Sequence, residues 1–114
     1  MGRRIMNRLA PYIPAIRSLC QQHRVKQLWV FGSVLRPDFR PGSDIDMLYE
    51  LDHTALSPAE SNHHFFALAE DLSKLLGHPI DMIWYPGIRN PYFLEEVNET
   101  KIALYDQRDQ QIFV

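Results

Sequence analysis

The stretch Lys26–Leu51, KQLWVFGSVLRPDFRPGSDIDMLYEL, decides the fold. Its opening, Lys26 to Phe31, is a short β-rich run halted by Gly32-Ser33, which predicts a buried strand ending in a tight turn. The next ten residues, Val34 to Ser43, hold Pro37, Pro41 and Gly42 and cannot form one regular element. At most a turn of helix opens at Ser33. Ile45 to Leu51 then reads as a second strand. Period-two geometry puts Asp44, Asp46, Leu48 and Glu50 on one face and Ile45, Met47, Tyr49 and Leu51 on the other.

That alternation carries chemistry. Carboxylates at i and i+2 of a strand project the same way with Cα atoms about 6–7 Å apart, so Asp44 and Asp46 can converge on one divalent cation. Two acids facing one way repel each other, and a bound metal relieves this most directly; hard oxygen ligands select Mg²⁺ or Mn²⁺. Gly32 and Ser33, after a strand and at the start of a helical turn, offer free backbone N–H groups and a hydroxyl to phosphate oxygens.

Outward from this stretch, Leu9, Ile13, Ile16, Leu19 and Cys20 recur at helical spacing, with Pro11 and Pro14 confining the regular helix to about Pro14–His23. Ser57-Pro58-Ala59-Glu60 is a capping-box start to a helix that continues through Phe65, Leu68, Ala69, Leu72, Leu75 and Leu76 and stops at Gly77. Pro79 to Tyr85 predicts a third strand with Asp81, Ile83 and Tyr85 on one side, bringing a third carboxylate to the same rim if it pairs with the second strand. Asn90-Pro91 caps a short helix through about Asn98, and Lys101 to Tyr105 is a candidate last strand. The expected fold is α/β (α+β): a small mixed sheet with helices packed mainly on one face and the acids at one end.

The chain has 114 residues, the size of one domain, so residues 1–114 are expected to form a single unit. With 46% hydrophobic and 23% charged residues it can bury a core. A net charge of −2 lacks the positive field of most phosphate-backbone binders, so strong nucleic-acid binding is not expected. The lone Cys20 excludes an internal disulfide. The start lacks the apolar run of a signal peptide, Met6 sits where a myristoylation signal wants Ser or Thr, and no run approaches a membrane span. The expected compartment is the cytoplasm, with no membrane association. His53, His63, His64 and His78 lack zinc-site spacing and are expected at the surface or in helix packing. Glu50 is expected as a strand-end acid. Trp29, Trp84, Tyr85 and Phe66 could form a base-stacking or partner surface, although aromatic residues on strands and helices are most often core, and core is the expectation here. The apolar Ile112-Phe113-Val114 end could dock on a partner or a second copy.

Gly-Ser, a spacer, Asp-x-Asp and a third Asp on a later strand together resemble the signature of the nucleotidyltransferase superfamily related to DNA polymerase β. Phe31-Gly32-Ser33, Arg36 three places after the serine, the ten-residue spacer and Ser43-Asp44-Ile45-Asp46 are similar to its minimal branch, the MNT proteins. So are Asn90-Pro91-Tyr92 and Ala103-Leu104-Tyr105, extending the resemblance over about residues 14–105. Pro37 departs from the branch, which usually has glycine there. The resemblance implies that Gly32 and Ser33 hold nucleotide phosphates, helped by Arg36. It implies that Asp44 and Asp46 ligate Mg²⁺, that Asp81 completes a site for two ions, and that ATP is the substrate. It further implies an antitoxin that transfers AMP to a tyrosine of a HEPN toxin, a helical RNase, and pairs with it as a hetero-oligomer. The 33 residues after Asp81 hold no acceptor domain, so a partner is expected to supply the acceptor. The alternatives are an antitoxin that acts by contact alone, and nucleotidyl transfer to a small molecule or RNA.

Overall fold

The computed structural model describes residues 8–108. After a 3-10 segment at Ala10–Tyr12 come α1 (Ile13–Gln22), β1 (Val25–Phe31), a 3-10 turn (Gly32–Leu35) and β2 (Ile45–Leu51). Then follow α2 (Pro58–Leu76), β3 (Ile80–Trp84), a second 3-10 turn (Tyr85–Gly87), α3 (Pro91–Thr100) and β4 (Ile102–Asp106). The strands form one mixed sheet in the order β3-β2-β1-β4. β1 runs antiparallel to β2 and β4, while β2 and β3 are parallel. A parallel pair needs a long crossover, and α2 is that connection.

The sheet buries both faces, as its alternation requires. On one face Val30, Ile45, Met47, Tyr49 and Leu51 pack with Ile13, Ile16 and Cys20 of α1 and Leu68, Leu72 and Leu76 of α2. Trp29, Phe31 and Leu48 point the other way, against Val97, Phe93 and Leu94 of α3. Two helices therefore cover one face and the third covers the other. An irregular step in the β1–β2 register between Val25 and Gln27 lets Val25 join the face of Leu28 and Val30, although simple alternation would send it to the opposite side. Each fully buried aliphatic side chain contributes about 1.5–3 kcal/mol.

The helix ends follow local chemistry. Ser57 Oγ accepts from the Glu60 backbone N–H and the Glu60 carboxylate accepts from the Ser57 N–H, closing the expected capping box. At α3 the Asn90 side chain accepts from the N–H groups of Tyr92 and Phe93, with Pro91 in the first turn. This helix runs two residues beyond the expected end: Thr100 donates to the Glu96 carbonyl and the Lys101 N–H bonds to Val97. β3 begins one residue after Pro79, which has no N–H to pair, and ends before Tyr85, which opens a 3-10 turn.

Several sequence expectations need correction. Phe66 and Trp84 are not core residues: they are 63% and 43% exposed. Phe66 lies on the outer side of α2, and Trp84 closes the edge strand with its ring against His53. His23, which the sequence reading passed over, is buried at the end of α1; its Nε2–H donates to Asp71 at 2.8 Å, and its Nδ1 lies 2.9 Å from Nδ1 of His64. One proton serves that nitrogen pair. The contact ties α1 to α2, and burial, with His23 and His63 close by, holds the His64 imidazole below its ordinary pKa. Cys20 is a buried free thiol whose pKa burial raises. Glu50 lies 3.8 Å from Lys26 in an ion pair. Among the described residues no helix is long and apolar enough to cross a membrane. Met6 and the Ile112–Val114 end lie outside the described residues.

Candidate active site

β1 ends, β2 begins and β3 begins at the same end of the sheet, because β1 is antiparallel to β2 and β3 is parallel to it. There Phe31 is the cross-strand partner of Asp46 on one side, and Asp81 is its partner on the other. Neighbouring strands lie about 4.8 Å apart and in-register residues of a parallel pair point to the same face, so Asp46 and Asp81 stand side by side. Asp44 immediately precedes β2 and is exposed, Asp46 is half-buried, and Asp81 is exposed. The three aspartates found in the sequence thus share one rim.

Gly32 starts the turn beside them at φ +75°. A Cβ built there would lie 2.5 Å from Oδ2 of Asp46. Only glycine both adopts this backbone conformation at little cost and lets the carboxylate stand against the turn. The Ser33 backbone belongs to the same 3-10 turn, while its hydroxyl lies outside what the structure describes. The loop from Arg36 to Ser43 is folded by two turns, Phe39 N–H to Arg36 and Ser43 N–H to Arg40. Phe39 packs on the His78 ring, and His78 Nδ1 donates to the Ser43 carbonyl at 2.9 Å. The Ile45 N–H bonds the Pro79 carbonyl, so the starts of β2 and β3 are fastened together one residue from the acids. His78 and Phe39 thereby position the rim. No spacing rule in the sequence marks them, because their contact spans 39 positions.

A cleft of about 340 Å³ opens at this rim, lined by Phe31, Gly32, Leu35, Arg36, Asp46, Glu96 and Thr100. Arg36 therefore faces the same space as Gly32 and Asp46, despite Pro37 beside it. Glu96 and Thr100 come from α3 and were missed in the sequence. Their i, i+4 spacing places both on one side of a helix whose other contacts are the apolar Phe93, Leu94 and Val97. That polar pair was the available signal.

The donor set suits a hard divalent cation: the rim presents the carboxylates of Asp44, Asp46 and Asp81, hard oxygen ligands. Gly32 leaves the Asp46 oxygen room that any side chain would fill. Among the described residues no group of three or more His, Cys, Asp or Glu side chains is drawn tightly enough to hold a metal ion as it stands.

Comparison with known proteins places the chain in a family. A family described as polymerase beta, nucleotidyltransferase, matches residues 15–110. A Methanocaldococcus jannaschii protein named "Putative protein adenylyltransferase MJ0128" is 34% identical over 84 residues, covering 74% of this chain and 81% of that protein. A solved structure named "putative minimal nucleotidyltransferase" superposes with a TM-score of 0.65 at 30% identity, covering 82% of this chain and 90% of the other. A chain from the complex of a tri-AMPylated Shewanella oneidensis HEPN toxin with an MNT antitoxin shares the fold. Its TM-score is 0.56 at 20% identity, with 91% and 78% of the two chains covered. A mixed four-stranded sheet with a glycine turn against Asp46, and a family match over nearly the whole chain, lead to one assignment: the chain belongs to the polymerase beta nucleotidyltransferase family and is a nucleotidyltransferase.

Proposed function

We propose that this chain transfers AMP from ATP to a tyrosine hydroxyl of a HEPN-type toxin, silencing it as an antitoxin in a hetero-oligomeric pair. The observation that carries the reading is the register of Asp46 with Asp81 beside the Gly32 turn. The relative named as a protein adenylyltransferase, and the fold shared with a chain of the AMPylated HEPN toxin complex, support the acceptor class.

In this reading the backbone N–H groups of Gly32 and Ser33, with Arg36, hold the triphosphate in the cleft. Asp44, Asp46 and Asp81 would hold two Mg²⁺ ions, which when bound neutralise charge on the reacting phosphoryl group. The acceptor oxygen attacks the α-phosphorus, the bond from that phosphorus to the bridging oxygen of the β-phosphate breaks, and pyrophosphate leaves. Asp81, the most exposed of the strand-borne acids, accepts the hydroxyl proton. Phe39 and His78 hold the loop so that Arg36 and the acids keep their places. Asp44 and Asp81 are exposed, so a partner's tyrosine can reach them.

The test mixes the chain, ATP and Mg²⁺ with the protein encoded beside it in its genome and records the intact mass. Addition of about 329 Da per AMP to that neighbour is expected. An unshifted neighbour that is nonetheless neutralised would replace this reading with inhibition by contact.

A further inference from the structure

Resting on the nucleotide reading above, the geometry points to Glu96 as the residue that recognises the ribose of the nucleotide. Arg36 and Glu96 line the same cleft as opposite charges. Glu96 is exposed on α3, and among the described residues neither its carboxylate nor the Arg36 guanidinium makes a hydrogen bond or an ion pair. The two do not neutralise each other, so the cleft is bipolar.

A nucleoside triphosphate is bipolar as well, with anionic phosphates at one end and hydrogen-bond donors at the other. Arg36 and the Gly32 turn suit the phosphates. A carboxylate accepts and cannot donate, and beside phosphate oxygens it would repel, so Glu96 serves the donor end. Of the donors available, the vicinal 2′- and 3′-hydroxyls match both carboxylate oxygens at once. The amino group of adenine stands next to ring nitrogens that are acceptors, so one oxygen of a carboxylate placed there would face a lone pair. The 2′-hydroxyl is therefore the group Glu96 distinguishes. Thr100 lines the same cleft, its hydroxyl donating to the Glu96 backbone carbonyl at 2.9 Å.

Calorimetric titration with Mg²⁺ and either ATP or 2′-deoxy-ATP, on wild type and Glu96→Gln, tests the proposal, with transfer kinetics alongside. Wild type is expected to bind ATP about tenfold more tightly than 2′-deoxy-ATP, the worth of one charge-assisted hydrogen bond. Glu96→Gln should weaken ATP about tenfold, weaken 2′-deoxy-ATP, which keeps the 3′-hydroxyl alone, by only about threefold, and act through KM rather than kcat. Glu96→Ala should abolish the discrimination entirely, with helix content unchanged by circular dichroism. Equal weakening of both nucleotides, or no change in either, would overturn the assignment. So would a loss for both that inosine triphosphate escapes, which would move Glu96 to the base. Failure of wild type to bind either nucleotide would instead remove the nucleotide reading itself, and this assignment with it.

Discussion

Replacing Gly32 with alanine separates two costs that the structure places at one atom. The first is backbone conformation: φ is +75°, where a Cβ costs about 1–2 kcal/mol. For a domain of this size that lowers the melting temperature by about 5–10 °C. The second is collision. The new Cβ would stand 2.5 Å from Asp46 Oδ2, so the carboxylate or the turn must retreat by about 0.9 Å to reach the 3.4 Å of an ordinary contact. A displacement of about 1 Å in a catalytic constellation costs about 100-fold in rate. Gly42 is the internal control, because it also has positive φ, +85°, yet nothing lies within 4 Å of its Cβ position. Gly42→Ala should therefore lose similar stability and keep its rate within a few-fold. The assay pairs thermal unfolding with initial rates of AMP transfer, or of pyrophosphate release, well below either melting temperature. Full activity in Gly32→Ala, or an equal loss of activity in both variants, would refute the claim that the Gly32 turn and Asp46 must touch.

Three further outcomes are expected. Asp46→Asn and Asp81→Asn should each reduce transfer at least 100-fold while leaving the melting temperature within a few degrees, checked by intact mass and calorimetric melting; a near-wild-type rate in either would remove that residue from the chemistry. Ser57→Ala opens the capping box of α2 and should cost about 1 kcal/mol in denaturant unfolding, whereas no loss would show that the long crossover helix is held by packing alone. Burial of His64 beside His23 should make stability depend on pH. His64 titrates lower in the folded chain than unfolded, so in that window the unfolded chain binds more protons. Its contribution is complete above the unfolded value near 6.5 and is lost as the pH falls through the lower folded value. Unfolding free energy followed from pH 8 to 5 should therefore decline in acid, and His64→Gln should flatten that decline; a flat wild-type profile would contradict the arrangement.

The rim was legible because its logic is local. Gly32 ends a strand, Asp44 and Asp46 alternate on the next, and Asp81 lies two residues into a third apolar run, so period-two geometry and one pairing suffice to bring them together. The capping box at Ser57 and the Asn90 cap were visible for the same reason. The cleft's far wall was not. Glu96 and Thr100 reach it only because α3 crosses the face opposite α1 and α2, and that packing depends on Trp29, Phe31 and Leu48 pointing away from the larger cluster. The hold of His78 and Phe39 on the loop, and the burial of His23 against Asp71, are contacts between distant positions that no short pattern encodes. Trp84 and Phe66 misled because an aromatic residue on a strand or helix is usually inward, whereas an edge strand and an outer helix side can each leave one exposed.

The most direct measurement is a Mn²⁺ titration of the nitrogen-15-labelled chain in the presence of ATP, following paramagnetic broadening of the backbone amides. If the aspartate rim holds the cation, the resonances of Gly32, Asp44, Ile45, Asp46 and Asp81 broaden first and together, and Asp46→Asn abolishes the effect. Broadening centred elsewhere, or a pattern unchanged by that substitution, would contradict the assignment of this end of the sheet as the catalytic site.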